Sequence, residues 1–168
     1  AIRLIGPSLE PAWQAARSGV EDRAAREAMM RGALYAGIAF SNASVALVHG
    51  MARPIGAHFH LPHGLSNATL LATVMEFSVV GSPARFAAVA EAMGERVDGI
   101  SLMDAARRAV ESVRRLCEDV EVPTLAGAGV DPARLRELAP KMARDAIASG
   151  SPSNNPRQAT ADDIVRLY

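Results

Sequence analysis

A disulfide framework is out of reach for this chain, because its 168 residues contain one cysteine, Cys117. A lone thiol closes no internal bridge, so a reducing cytoplasm is the simplest home. No apolar run reaches the roughly 18 residues that a membrane-spanning helix needs. The first residues, Ala1 to Ile5, lack the charged start, apolar middle and cleavage pattern of a secretory signal. Charge of one sign is missing too: the formal net charge is zero. A nucleic acid or an anionic membrane as partner would favour a basic face, so neither is expected. There is no convincing strand pair, internal repeat or low-complexity tract, and no linker divides the chain. Nor is there an initiating Met. Ala1-Ile2-Arg3-Leu4-Ile5 reads like a helix already under way with no cap before it, which predicts that the chain is part of something longer.

What is present is 49% apolar, enough for one folded domain with a real core. Ala-rich stretches with helical periodicity and few β-branched residues favour helix throughout. The spacing predicts helices near 1–16, 21–41, 43–53, 64–79, 83–94, 101–119, 132–148 and 161–168. Ser18 with Glu21, and Thr160 with Asp163, have the spacing of capping boxes. Ser82-Pro83 and Asp131-Pro132 place a cap residue before a first-turn proline, and Ser101 with Asp104 is a weaker version. Pro140 should kink or split the seventh helix. The expectation is all-α: a bundle of about 7–9 helices in one domain, 1–168.

All four histidines, His49, His58, His60 and His63, crowd into one stretch between two helices. Neutral imidazole is the commonest protein ligand for a catalytic metal. A helix through Ser44 to Arg53 puts Val45, His49 and Arg53 on one face. Pro54 then disfavours helix at Arg53 and helps turn the chain, and residues 56–62 are expected to form a loop. His49, late in one helix, and His63, at the head of the next, would converge on one point. The competing reading is that both are ordinary polar residues with hydrogen-bond partners. Short zinc signatures are absent, and two histidines do not complete a catalytic site, which usually takes about three protein ligands plus an open position.

The run from Leu34 to Leu71, LYAGIAFSNASVALVHGMARPIGAHFHLPHGLSNATLL, resembles the signature of the iron-containing (group III) alcohol dehydrogenases. The similarity extends both ways, from the helix of Ala1 to Trp13, through Arg85 to Gly94, to Asn155-Pro156-Arg157 and Thr160 to Tyr168. It implies a protein with an N-terminal α/β domain that binds NAD or NADP, and an all-helical C-terminal domain that holds the metal. This chain looks like most of the second. The resemblance makes His49 and His63 two metal ligands. It puts the other two, an aspartate and a histidine four residues later, on an earlier helix that is not in this sequence. Three imidazoles and a carboxylate suit Fe(II), and also Zn(II). Such an ion would act as a Lewis acid on an alcohol or carbonyl oxygen while hydride passes to or from the nicotinamide.

One position departs from the family pattern. Four residues after the first ligand the family usually has a histidine assigned to proton relay; here it is Arg53. Arginine stays protonated and shuttles no proton at neutral pH, but it can hold a carboxylate by two parallel hydrogen bonds. The expectation is that Arg53 anchors an acidic substrate or orders the cofactor, and that any relay passes to water, His60 or His58. A salt-bridged or solvated arginine is the plain alternative. Phe40 resembles a position lining the alcohol pocket, with core packing as the alternative. Asn155-Pro156-Arg157 resembles a loop near the substrate mouth. Asn42 and Asn67 are read as structural, Trp13 as core or domain interface, and Cys117 as buried and inert.

The leading expectation is therefore the metal-binding half of an NAD(P)-dependent alcohol dehydrogenase, inactive by itself, acting on a small alcohol, aldehyde or ketone. It would partner its own nucleotide-binding domain and form a homo-oligomer. A maleylacetate reductase-like or hydroxy-acid dehydrogenase of the same fold is the nearest rival. A non-catalytic helical ligand-binding module is the rival from another class.

Overall fold

A computed structural model describes residues 1–168. It contains eight α-helices, two short 3-10 turns and no strand. The helices are α1 (Ile2–Ser18), α2 (Arg23–Ala43), α3 (Leu47–Phe59), α4 (His63–Ser78), α5 (Pro83–Ala92), α6 (Leu102–Asp119), α7 (Pro132–Ala148) and α8 (Ala161–Leu167). The turns are Val79–Gly81 and Ser151–Asn154. No single helix is long and apolar enough to cross a membrane.

The helices group into two compact units, each built from two separate stretches of chain: 1–43 with 82–121, and 44–81 with 122–168. Interleaving of this kind leaves no linker in the sequence to read.

The first unit joins α1, α2, α5 and α6. Its buried side chains are small: Ala25, Ala90, Ala105, Ala106, Ala109 and Val110. Small side chains let helices approach closely. At Gly32 on α2, an added Cβ would stand 2.5 Å from Ile5 Cγ1 on α1. Ser101 caps α6 by accepting from the Asp104 amide at 3.1 Å. Ser18 makes no capping box, contrary to expectation. Its hydroxyl donates back to the Gln14 carbonyl, and Asp22 accepts from the Ala25 amide at 2.9 Å instead. Cys117 is only half-buried; burial pushes its thiol up, with a smaller push from Glu118.

The second unit has the larger core. Leu47, Met51 and Ile55 of α3, Leu70 and Val74 of α4, Met142, Ala143 and Ala146 of α7, and Ile164 of α8 pack together. Asp131 caps α7 through the Arg134 amide at 2.7 Å, and Thr160 with Asp163 completes a capping box on α8. Ser82 makes no side-chain cap at α5, so there the proline alone marks the helix start. Pro140 does not split α7, which continues to Ala148. The Tyr168 hydroxyl donates to the Met51 carbonyl at 2.8 Å and ties the chain end to α3.

The main departure is at Pro54. It does not turn the chain: α3 runs through it to Phe59. A proline inside a helix removes a hydrogen bond and costs about 3 kcal/mol. Here Pro54 and Ile55 are both buried, and packing of a whole apolar face outweighs the lost bond. The helix ends instead at His60, which takes the left-handed conformation (φ 56°) with its amide bonded to the Gly56 carbonyl at 3.0 Å.

Candidate metal and substrate site

His49 lies in the first turn of α3, not late in a helix, and His63 is the first residue of α4. The chain reverses between them through His60, Leu61 and Pro62. That reversal is fixed by burial of Leu61, 9% exposed, and by Ser66, whose hydroxyl donates to the Pro62 carbonyl at 3.1 Å. As a result the His49 and His63 rings stand 5.4 Å apart, centre to centre, with their planes tilted by 52°. His49 is half-buried and His63 exposed. Burial, then the charges of His63 and Arg53, holds the His49 imidazole below its ordinary pKa of 6.5. A neutral ring is the form that binds a metal.

Asn67 holds the second ring. Its amide nitrogen donates to the His63 carbonyl at 2.9 Å and lies 3.3 Å from Nε2 and 3.4 Å from Nδ1 of the same residue. Its Oδ1 is buried with no hydrogen-bond partner. A buried acceptor left bare is costly, and one beside paired imidazoles suits a protonated or metal-held group arriving from outside the chain. The spacing agrees. Metal–imidazole bonds of about 2 Å bring two ring centres on one ion to roughly 5 Å. No group of three or more His, Cys, Asp or Glu side chains converges anywhere in the chain.

Arg53, one turn after His49, donates through Nη1 to Ser151 Oγ at 3.1 Å. His58 belongs to α3, not to the expected loop. His60 serves as the helix end. Arg157 lies over the Phe77 ring, its guanidinium carbon 4.0 Å from the ring centre, and donates to the Phe77 carbonyl at 3.2 Å. Its loop is tethered by Asn155, which donates to Ser78 Oγ at 2.9 Å and to the Arg157 carbonyl at 2.7 Å. Phe40 belongs to the first unit and is 57% exposed, on a helix that also exposes Met30, Leu34 and Ile38.

Two cavities open in the second unit. One, about 380 Å³, is walled by Leu70, Leu125, Val130, Leu135 and Tyr168 and has no histidine in its wall. The other, about 320 Å³, runs between α3 and α7 and is lined by Gly50, Arg53, His58, Lys141, Asp145 and Ser149 among others. Lys141 binds Asp145 at 2.6 Å and, with smaller help from His58 and Arg144, holds that carboxyl below its ordinary range. Lys141, Asp145, Ser149 and Ser151 were invisible to sequence reasoning, because nothing local links them to a helix some 90 residues earlier.

Comparison with known proteins places this all-helical chain in a family. The family described as Fe-containing alcohol dehydrogenase, C-terminal, matches residues 1–168. The chain is 39% identical over 169 residues to 1,3-propanediol dehydrogenase of Citrobacter freundii, covering 100% of this chain and 42% of the relative. It is 41% identical over 148 residues to lactaldehyde reductase of Escherichia coli K12, covering 88% and 38%. A crystal structure of 1,3-propanediol oxidoreductase superposes with a TM-score of 0.88 at 36% identity, over 99% of this chain and 42% of that one. An alcohol dehydrogenase from Oenococcus oeni gives the same values. The chain belongs to the iron-containing alcohol dehydrogenase family, and spans about 42% of the length of the first of these relatives.

Proposed function

We propose that this chain is the metal-holding, substrate-lining half of an NAD(P)-dependent alcohol dehydrogenase that interconverts a small alcohol with its aldehyde or ketone. The observation that carries this reading is the His49–His63 pair, 5.4 Å between ring centres, in a chain whose relatives include alcohol-oxidising enzymes. His49 and His63 are the two ligands this chain gives to Fe(II), or alternatively Zn(II). The remaining ligands and the nucleotide come from polypeptide outside these residues. When bound, the ion supplies Lewis acidity at the reacting oxygen.

The chain's own residues prepare that site. Partial burial, with the nearby charges of His63 and Arg53, disfavours the protonated form of His49. Asn67 packs its amide nitrogen against the His63 ring, 3.3 Å from Nε2 and 3.4 Å from Nδ1, and limits the ring's freedom. Arg53 carries fixed positive charge one turn from His49, and proton movement falls to water, His60 or His58. Arg157, stacked on Phe77, lines the approach of the substrate. The test uses the polypeptide that includes the upstream residues. Metal-loaded protein should oxidise propanediols with reduction of NAD or NADP, and His49→Ala should remove both the stoichiometric metal and the activity. Full metal content in His49→Ala would refute the assignment.

A further inference from the structure

The groove between α3 and α7 has an unbalanced charge, and it includes Arg53, one helical turn after His49. Its one carboxylate, Asp145, is already engaged by Lys141 at 2.6 Å. Arg53 remains. Its side chain makes one hydrogen bond, to a neutral hydroxyl, Ser151 Oγ, through Nη1 at 3.1 Å. Ser151 is itself held: it is 6% exposed, and its amide donates to Ser149 Oγ at 3.3 Å. One edge of the guanidinium is thus pinned, and the side chain lines a cavity of about 320 Å³. A planar fork with a free edge is the side chain best matched to a carboxylate. Buried Pro54 and Gly50 give that cavity an apolar lining next to the charge.

Position completes the argument. Residues four apart on a helix have Cβ atoms about 5–6 Å apart on one face. A carboxylate held at Arg53 therefore sets a carbon two or three bonds away beside His49 and His63. We propose that Arg53 is the receptor for a substrate carboxylate, so that the alcohol taken by this site is a short hydroxy acid, and its product the matching oxo acid. Ser151 is a positioning residue for the guanidinium. This inference rests on the proposed dehydrogenase reading for its chemistry, but not for its binding.

The pair 3-hydroxypropionate and 1,3-propanediol tests it, since they differ by a carboxylate in place of a hydroxymethyl group. In the intact polypeptide, kcat/KM should favour the acid, and Arg53→Gln should lower the acid-to-diol ratio by roughly ten- to a hundredfold, the scale of a charge-assisted pair. Arg53→Lys keeps the charge without the fork and should lower the ratio less; it serves also if Arg53→Gln folds poorly. Equal losses on acid and diol, or a parent enzyme that prefers the diol, overturn the proposal and leave the dehydrogenase reading standing. A separate titration of the 168-residue chain with 3-hydroxypropionate at constant ionic strength, followed at the ligand's own proton signals, isolates binding. Saturation that survives His49→Ala and disappears in Arg53→Gln supports the groove even if catalysis fails. Chloride binding as strong as the hydroxy acid's overturns it.

Discussion

Gly81→Ala should damage the second unit out of proportion to the one methyl group it adds. A Cβ at Gly81 would lie 2.5 Å from both C and O of Pro156 and 2.7 Å from the Arg157 amide nitrogen. These are backbone atoms, so no side chain can swing aside. The loop they belong to is tethered by Asn155, 6% exposed, to Ser78, 2% exposed. To admit the methyl the loop must move and loosen that pair. Overpacking of this kind costs about 1–3 kcal/mol, and a lost buried hydrogen bond about 1 more. Alanine's smaller unfolded-state entropy returns about 0.4–1 kcal/mol. The net loss is about 1–3.5 kcal/mol, which for a chain of this size lowers Tm by about 2–14 °C. Gly64→Ala is the matched control. It lies in α4 and an added Cβ meets nothing within 4 Å, so it should raise stability by about 0.5–1 kcal/mol. Urea and thermal melts followed by helical circular dichroism measure both. A Gly81→Ala protein as stable as its parent would refute the close packing of the loop.

The remaining expectations are shorter. Met51→Ala removes a fully buried side chain from the core of the second unit and should cost about 2–5 kcal/mol in urea unfolding. Asp163 accepts from the Thr160 hydroxyl and amide, which, with smaller help from Arg166, pulls its carboxyl down to about 2 from 3.8. A depressed carboxylate stabilises the fold fully above the unfolded value and loses that contribution as pH falls from about 4 towards 2. Asp163→Asn should therefore flatten the acid limb of stability in that window, and an unchanged acid limb contradicts the capping box. His60 holds a left-handed backbone at φ 56°, so His60→Gly should be neutral or stabilising by up to about 1 kcal/mol. Loss of dehydrogenase activity with stability retained would show that the imidazole also serves as a relay.

Helix content, most boundaries and the two imidazoles were legible because they are local. Caps such as Asp131 and Thr160 act within three residues, and the histidine motif lies in one stretch. Pro54 misled because its local penalty was real but smaller than the burial of the helix face that carries it, a quantity that no single segment contains. That error moved His58 from helix to loop. The groove was hidden for a related reason: Arg53 and Ser151 meet across most of the chain, as do Ser78 and Asn155. Asn67 was visible as a residue but not as a partner, since only the folded start of α4 lays its amide beside the His63 ring.

Titrating the chain with Zn(II) while following the ring signals of both histidines tests the central claim most directly. Shared coordination predicts that His49 and His63 shift together at one midpoint, and that His49→Ala abolishes the response at His63. Independent midpoints, or an undisturbed His63 response in that variant, would mean the two imidazoles do not hold a common ion.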